Sequence, residues 1–181
     1  AMVPEQYGGT GLSLYEFTVL IEEIAAVDPS VGLTLCAHNG LCLGHITRFA
    51  SEDQKRTFLP DLCSGRTVGG WGLTEPGSGS DASAMATTAT RDGSWWVLNG
   101  SKRFITNAGV AGTYIVTAIT DRDEDSHRIT AFIVPADAPG FSIGRMEEKM
   151  GLHASNTGEL IFTDCRIPAE NLLGAEGEGD K

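Results

Sequence analysis

The sequence predicts an α+β chain, with a helical N-terminal part followed by an antiparallel β-barrel or β-sandwich. Three observations carry that reading. Up to Leu62, apolar residues recur at helical spacing behind hydroxyl-and-acid caps. From Val68 onward, short β-branched and aromatic runs alternate with glycine, proline and acidic turns, with no helical pattern between them. The last residues, Gly174-Ala175-Glu176-Gly177-Glu178-Gly179-Asp180-Lys181, are rich in glycine and acid and read as a linker or frayed end. The expected boundaries are therefore 1–66 for the helical part, 67–174 for the β-domain and 175–181 for the start of a linker.

The first helix starts at Ser13-Leu14-Tyr15-Glu16, where a hydroxyl and a carboxylate three residues apart have the form of a capping box. Phe17, Leu20, Ile21 and Ile24 then share one helical face. Asp28-Pro29-Ser30 punctuates, and a second helix is expected over Val31–Phe49. Ser51-Glu52-Asp53-Gln54 caps a third, carrying Phe58, Leu59 and Leu62 before Gly65. Pro60 argues against its last turn, because an internal proline lacks a donor and clashes with the preceding turn. In the second part, Trp95–Leu98 and Ser101–Ile105 flank Asn99-Gly100, which predicts a two-residue hairpin. Tyr114–Ile119 and Ile129–Val134 follow as strands joined by the charged loop Asp121–Arg128. Phe141–Ile143 and Glu159–Phe162 add short strands, with Pro139-Gly140 as a turn between elements.

Composition narrows the function. The 181 residues are 41% hydrophobic and 20% charged, as in a folded globular chain. A formal charge of -11 argues against a nucleic-acid or anionic-membrane partner, so an anionic ligand would have to be gripped locally. Cys36, Cys42, Cys63 and Cys165 have no paired spacing and read as reduced thiols of an intracellular protein. His38, His45, His127 and His153 form no metal-binding pattern, and no metal is expected. Neither a secretory leader nor a membrane span is apparent; the Val31–Phe49 run holds His38, Asn39, His45 and Arg48 and reads as a buried helix. The abrupt start on Val3-Pro4-Glu5 reads as a piece of a longer protein.

The stretch WGLTEPGSGSD, Trp71 to Asp81, holds the strongest chemical hint. Its glycines would let the backbone turn through positive φ and approach a ligand, and successive N–H groups in such a turn can converge on a phosphate. A plain surface turn remains equally open on this stretch alone. Strand alternation places Phe104 and Thr106 on one face, a pairing that suits core packing or a flat heteroaromatic ring. Leu73-Thr74 repeats the apolar-plus-hydroxyl step just before the glycine loop. A G-x-G-x-x-G turn is absent, so a Rossmann nucleotide site is not supported.

Pro4-Glu5-Gln6-Tyr7-Gly8-Gly9, WGLTEPGSGSD, Asn99-Gly100-Ser101-Lys102-Arg103-Phe104-Ile105-Thr106-Asn107, Lys149–Thr157, Phe162–Cys165 and Pro168–Gly174 together resemble the acyl-CoA dehydrogenases, in order and along essentially the whole chain. The resemblance implies an FAD enzyme of helical–β–helical build, of which this chain supplies the later N-terminal helices and the middle β-domain. It places Trp71, Leu73 and Thr74 along the flavin ring, with the Thr74 hydroxyl on the pyrimidine side. Gly79 and Ser80 lie against the pyrophosphate, and Ser80 also faces the acyl-CoA. Phe104 stacks near the flavin where many members carry tryptophan, keeping the π face without the indole donor. Ile105 follows it, and Thr106 bonds near flavin N5. Ser126 falls where members contact CoA, while the adjacent charges of His127 and Arg128 read as those of a solvated loop. Glu75 and Asp81 resemble structural members of the loop, with Asp81 receiving backbone N–H bonds.

The implied reaction is α,β-dehydrogenation of an acyl-CoA to the trans-2-enoyl-CoA. A carboxylate takes the α-proton and the β-hydrogen leaves as hydride to flavin N5, after which an electron-transferring flavoprotein reoxidises the flavin. The family's catalytic glutamate lies in a C-terminal helical domain that the 181 residues do not include, so no catalytic residue is assigned and the chain alone is expected to be inactive. The short-chain members look closest. A homodimer or homotetramer in bacterial cytoplasm or mitochondrial matrix is implied for the whole protein. An oxidase on the same scaffold and a non-catalytic β-domain binding a nucleotide or protein are the alternatives.

Overall fold

The computed structural model describes residues 2–122 and 127–179. Helix α1 spans Leu14–Val27 and starts as a capping box: the Ser13 hydroxyl accepts from the Glu16 N–H, and the Glu16 carboxylate accepts from the Ser13 N–H at 2.8 Å. Helix α2, Pro29–Cys36, is capped by the Asp28 carboxylate, with Pro29 at the first turn, where its missing donor leaves no bond unmade. The expected second helix therefore begins earlier than Val31. It is also not uniform, because Ala37–Leu43 widens into π-helical turns before α3, Gly44–Phe49. Helix α4, Glu52–Cys63, repeats the capping box with Ser51 and Gln54. It continues through Pro60, and the buried Leu59 and Leu62 hold the turn that the proline weakens. No helix is long and apolar enough to cross a membrane among the described residues.

The second part is one mostly antiparallel sheet of β1 (Val68–Gly72), β2 (Thr88–Asp92), β3 (Trp95–Thr106), β4 (Ala111–Arg122), β5 (His127–Pro135), β6 (Phe141–Met146), β7 (Thr157–Pro168) and β8 (Leu172–Leu173). Its order is β6-β7-β3-β2-β4-β5-β8, with β1 pairing β4 in parallel. The helices-then-strands prediction holds, but the sheet stays open, ending on β6 and β8.

Asn99-Gly100 is not a hairpin. It lies inside β3, at a register slip against β7 between Leu98 and Gly100. Gly100 has φ 141, and a Cβ there would stand 2.6 Å from the Thr87 hydroxyl, so the glycine answers a close approach. The Asn99 side-chain Oδ1 accepts the Asp164 N–H at 2.8 Å, stitching β3 to β7. The real two-residue turn is Gly93-Ser94, where Asp92 pairs with Trp95 and Gly93 takes φ 58.

Two cores result. One lies within the sheet, around Trp96, Leu98, Ile105, Tyr114, Phe132 and Leu160. The other joins Leu43, Ile46, Leu59 and Leu62 of the helices to Ile115 and Ile133 of the sheet. His38, on the π segment, bridges the same junction. Its Nδ1 accepts the Gly69 N–H at 2.9 Å, so Nε2 carries the proton and donates to the Leu62 carbonyl at 3.1 Å. Burial pushes this histidine's pKa down, against the raising effect of the Leu62 bond, and an Nδ1 that accepts an N–H belongs to a neutral ring. The tail is docked rather than frayed: the Gly177 N–H donates to the Thr130 hydroxyl at 2.9 Å and the Gly179 N–H to the Ile129 carbonyl at 2.8 Å.

Strand β1 is pressed so closely on the π segment that a Cβ on Gly69 would stand 2.4 Å from Cys42 Sγ. Gly69→Ala should therefore overpack the junction by about 1–3 kcal/mol, lowering the thermal midpoint by roughly 2–4 °C per kcal/mol. Gly77→Ala, where a Cβ meets nothing within 4 Å, should leave it unchanged. Equal melting of the two variants would show that the junction yields.

Candidate functional site

The chain leaving β1 runs beside the second half of β3. Gly70 faces the Thr106 carbonyl, Gly72 lies over the stem of Lys102, and the Arg103 N–H donates to the Thr74 carbonyl at 2.7 Å. On β3, Arg103 and Phe104 together oppose the single residue Glu159 of β7, because the register slips between Lys102 and Ile105. Phe104 takes φ 59, a conformation unusual for an aromatic residue, and its side chain is 56% exposed. The Arg103 guanidinium stands 4.9 Å from the Phe104 ring centroid and pairs with Glu147 at 3.4 Å.

The Arg103–Thr74 bond lays Thr74 beside the β3 segment on which Phe104 is exposed and Thr106 half-buried; the bulge and the positive φ at Phe104 interrupt the alternation from which a shared face was expected. Among the described residues no group bonds the hydroxyl of Thr74 or of Thr106, and both residues are half-buried. Three other predicted positions turn away. Ile105 is buried in the sheet core, leaving only its backbone at this edge. The Leu73 side chain packs on Met85, Ile119 and Ile129. Trp71 is half-buried against the helical core, with its ring stacked on His45 at 5.5 Å between centroids.

The glycine loop is a tight turn at Glu75–Ser78, closed by reciprocal backbone bonds of 2.9 and 3.2 Å. Contrary to expectation, neither Gly77 nor Gly79 has positive φ. A Cβ on Gly79 would meet no protein atom within 4 Å, so neither conformation nor internal packing demands glycine there. Gly79 and Ser80 are exposed. The expectation for Asp81 also fails: its carboxylate accepts from the Ser83 hydroxyl at 2.5 Å, and Glu75 collects the backbone N–H groups of Ala86 and Thr87 at 2.5 and 3.1 Å. Asp81 sits beside a hydroxyl two residues on, whereas Glu75 is turned inward. Ser126 lies outside the described residues.

Sequence reasoning missed Lys102. Its side chain is 0% exposed, and Nζ donates to Glu75 Oε1 at 2.7 Å and to the Leu73 carbonyl at 3.1 Å. Hydropathy cannot reveal a lysine that points inward; the one available signal was a lysine on the strand whose register would meet a glutamate directly after an apolar strand.

Residues 1–66 match the acyl-CoA dehydrogenase N-terminal domain and residues 70–165 the acyl-CoA dehydrogenase middle domain. The chain belongs to the acyl-CoA dehydrogenase family. It is 47% identical to a short-chain specific acyl-CoA dehydrogenase of Megasphaera elsdenii, covering 100% of this chain and 48% of that protein. Against the mitochondrial short-chain specific enzyme of Mus musculus the identity is 45%, over 99% of this chain and 43% of that protein. A chain from a structure of the electron transferring flavoprotein of Acidaminococcus fermentans superposes with a TM-score of 0.96 at 49% identity, covering 99% of this chain and 47% of that one. An acyl-CoA dehydrogenase from Bacillus anthracis, solved in complex with FAD, superposes at 0.91 and 41% identity, covering 98% of this chain and 30% of that one. The chain thus spans about half the length of the curated relatives it matches.

In this chain the titration of the Glu75–Lys102 pair bears on stability. Burial pushes the Glu75 carboxyl up, but bonds from Lys102, Thr87 and Ala86 outweigh it and hold the pKa below the ordinary 4.5. A carboxyl lowered on folding contributes stability that is present above its unfolded pKa and is lost as pH falls through the folded value. Urea midpoints measured down a pH series should therefore drop below pH 4.5 with a steeper slope in the native protein than in Glu75→Gln. Identical acid limbs would mean that Glu75 contributes nothing to acid unfolding.

Proposed function

We propose that this chain binds FAD along the edge formed by Thr74 and Phe104–Thr106, with the loop through Gly79 and Ser80 taking the pyrophosphate. It thereby forms the flavin-facing part of an enzyme that converts a short-chain acyl-CoA to the trans-2-enoyl-CoA. The observation that carries the reading is the 2.7 Å bond from the Arg103 N–H to the Thr74 carbonyl, which holds Thr74, its hydroxyl unbonded among the described residues, against the β3 segment that carries the exposed Phe104 and the half-buried Thr106. The residues suit the cofactor. A flat ring needs an apolar face with donors at its rim, which Phe104 and the two threonines supply. A chain of charge -11 must hold a pyrophosphate through local dipoles and close approach, and Gly79 offers a surface that a side chain would fill. The FAD complex of the Bacillus anthracis relative supports the assignment.

FAD, when bound, supplies the electron acceptor that no side chain can. The chain's own residues orient and shield: Thr74 and Thr106 hydrogen-bond at the ring rim, Trp71 backs the edge from the helical side, and the Leu73 and Ile105 backbones complete it. Ser80 is proposed to serve both pyrophosphate and substrate, and Ser126 to be the CoA contact. Among the described residues, the carboxylates adjoining the site are already engaged, Glu75 by Lys102 and two amides, Asp81 by Ser83, Glu147 by Arg103 and Glu159 by the Arg145 N–H. We infer that the base taking the α-proton comes from outside these 181 residues. In the whole protein, proposed to be a homodimer or homotetramer, an electron-transferring flavoprotein is the acceptor the relatives point to.

Titration of the chain with FAD, followed by flavin fluorescence and absorbance, should show saturable binding. Thr106→Val should weaken it about five- to tenfold, the worth of one hydrogen bond of about 1 kcal/mol. Butyryl-CoA added to the loaded chain should leave the visible flavin band unbleached. Absence of saturable FAD binding would sink the reading.

A further inference from the structure

A lysine with no exposed side-chain surface is rare, because desolvating an ammonium is expensive unless partners surround it. Lys102 has such partners. Its ammonium donates to the Leu73 carbonyl at 3.1 Å and to Glu75 Oε1 at 2.7 Å, and it stands 3.5 Å from the Thr117 hydroxyl of β4. Leu73 and Glu75 flank Thr74, and the carbonyl of Thr74 itself is held by the N–H of Arg103, the next residue on β3. Two consecutive residues of one strand thus grip three consecutive residues of the loop. Glu75 carries the grip further: its carboxylate accepts from Ala86 and Thr87, so the point where the chain enters the glycine loop is tied to the point where it leaves.

We propose that Lys102 is a positioning residue for flavin binding, acting from the buried side of the sheet to fix both the Thr74 hydroxyl at the ring edge and the Gly79–Ser80 turn at the pyrophosphate. The inference rests on the FAD-binding reading given above. Lys102 touches neither ligand nor substrate; it sets where the groups that do so stand. A buried ion pair adds little net stability over a neutral pair of similar volume, whereas removing one partner is strongly destabilising. What the ammonium uniquely supplies is the simultaneous hold on a carbonyl and a carboxylate two residues apart.

That difference defines the experiment. Either single change strands a buried charge, Glu75 in Lys102→Met and Lys102 in Glu75→Gln, and is expected to fold poorly, so the informative comparison is the native chain against Lys102→Met/Glu75→Gln. The double variant keeps an acceptor for Ala86 and Thr87 and removes the ammonium's hold on the Leu73 carbonyl. Each is titrated with FAD and, separately, with riboflavin and with ADP, which probe the ring and pyrophosphate ends. Melting is recorded alongside. The double variant should melt close to the native chain, yet bind FAD at least tenfold more weakly, lose affinity for both half-ligands, and show an altered visible flavin band. Equal affinities and spectra in the two proteins would overturn the proposal while leaving the FAD-binding reading intact. Failure of the native chain to bind FAD would overturn that reading and this inference with it.

Discussion

The site depends on one ammonium–carboxylate pair that never meets water. Lys102 and Glu75 sit between the sheet and the glycine loop, 2.7 Å apart, and every group assigned to flavin binding is within a few residues of one or the other. Such a pair has few alternative arrangements, because any shift that parts the charges strands one of them in the interior. The loop from Pro76 to Met85 can therefore be built of small, weakly structured residues and still keep its place. Its ends are held while its middle is left plain.

The surface above that pair is less relaxed. Glu159 of β7 opposes two residues on β3 and, across its other side, two on β6, where the register slips between Ile143 and Met146. Bulges on both flanks of one position concentrate twist there. The outcome is visible at Phe104, which accepts an unusual left-handed backbone so that its ring projects outward while Ile105 stays in the core. Arg103, held by Glu147, then lies over one face of the ring.

Much of this was legible in the sequence where the physics is local. Both serine capping boxes and the switch from helical to strand patterning near Val68 need only neighbours along the chain. The failures are tertiary. Asn99-Gly100 carries a hairpin signature, but Thr87 presses on Gly100 and Asp164 bonds Asn99, so β3 passes straight through. Asp81 looked like the acid that organises the loop, and Glu75 does that work because it meets Lys102. The glycines of WGLTEPGSGSD were read as turn-makers, yet Gly77 and Gly79 take ordinary backbone angles. Inward lysines and π-helical turns have no local signature at all.

The boundary between the two matched domains falls between residues 66 and 70, and there the structure offers no hinge. His38 hydrogen-bonds α4 through Leu62 and β1 through Gly69 with one rigid ring, and Leu43, Ile46 and Leu62 share a core with Ile115 and Ile133. A swing of the helices away from the sheet would have to break both imidazole bonds and open that core together. The two parts are separate as units of sequence and single as a mechanical body. That junction has no slack, so an enlarged side chain on either face has to be accommodated by displacing its neighbour on the other.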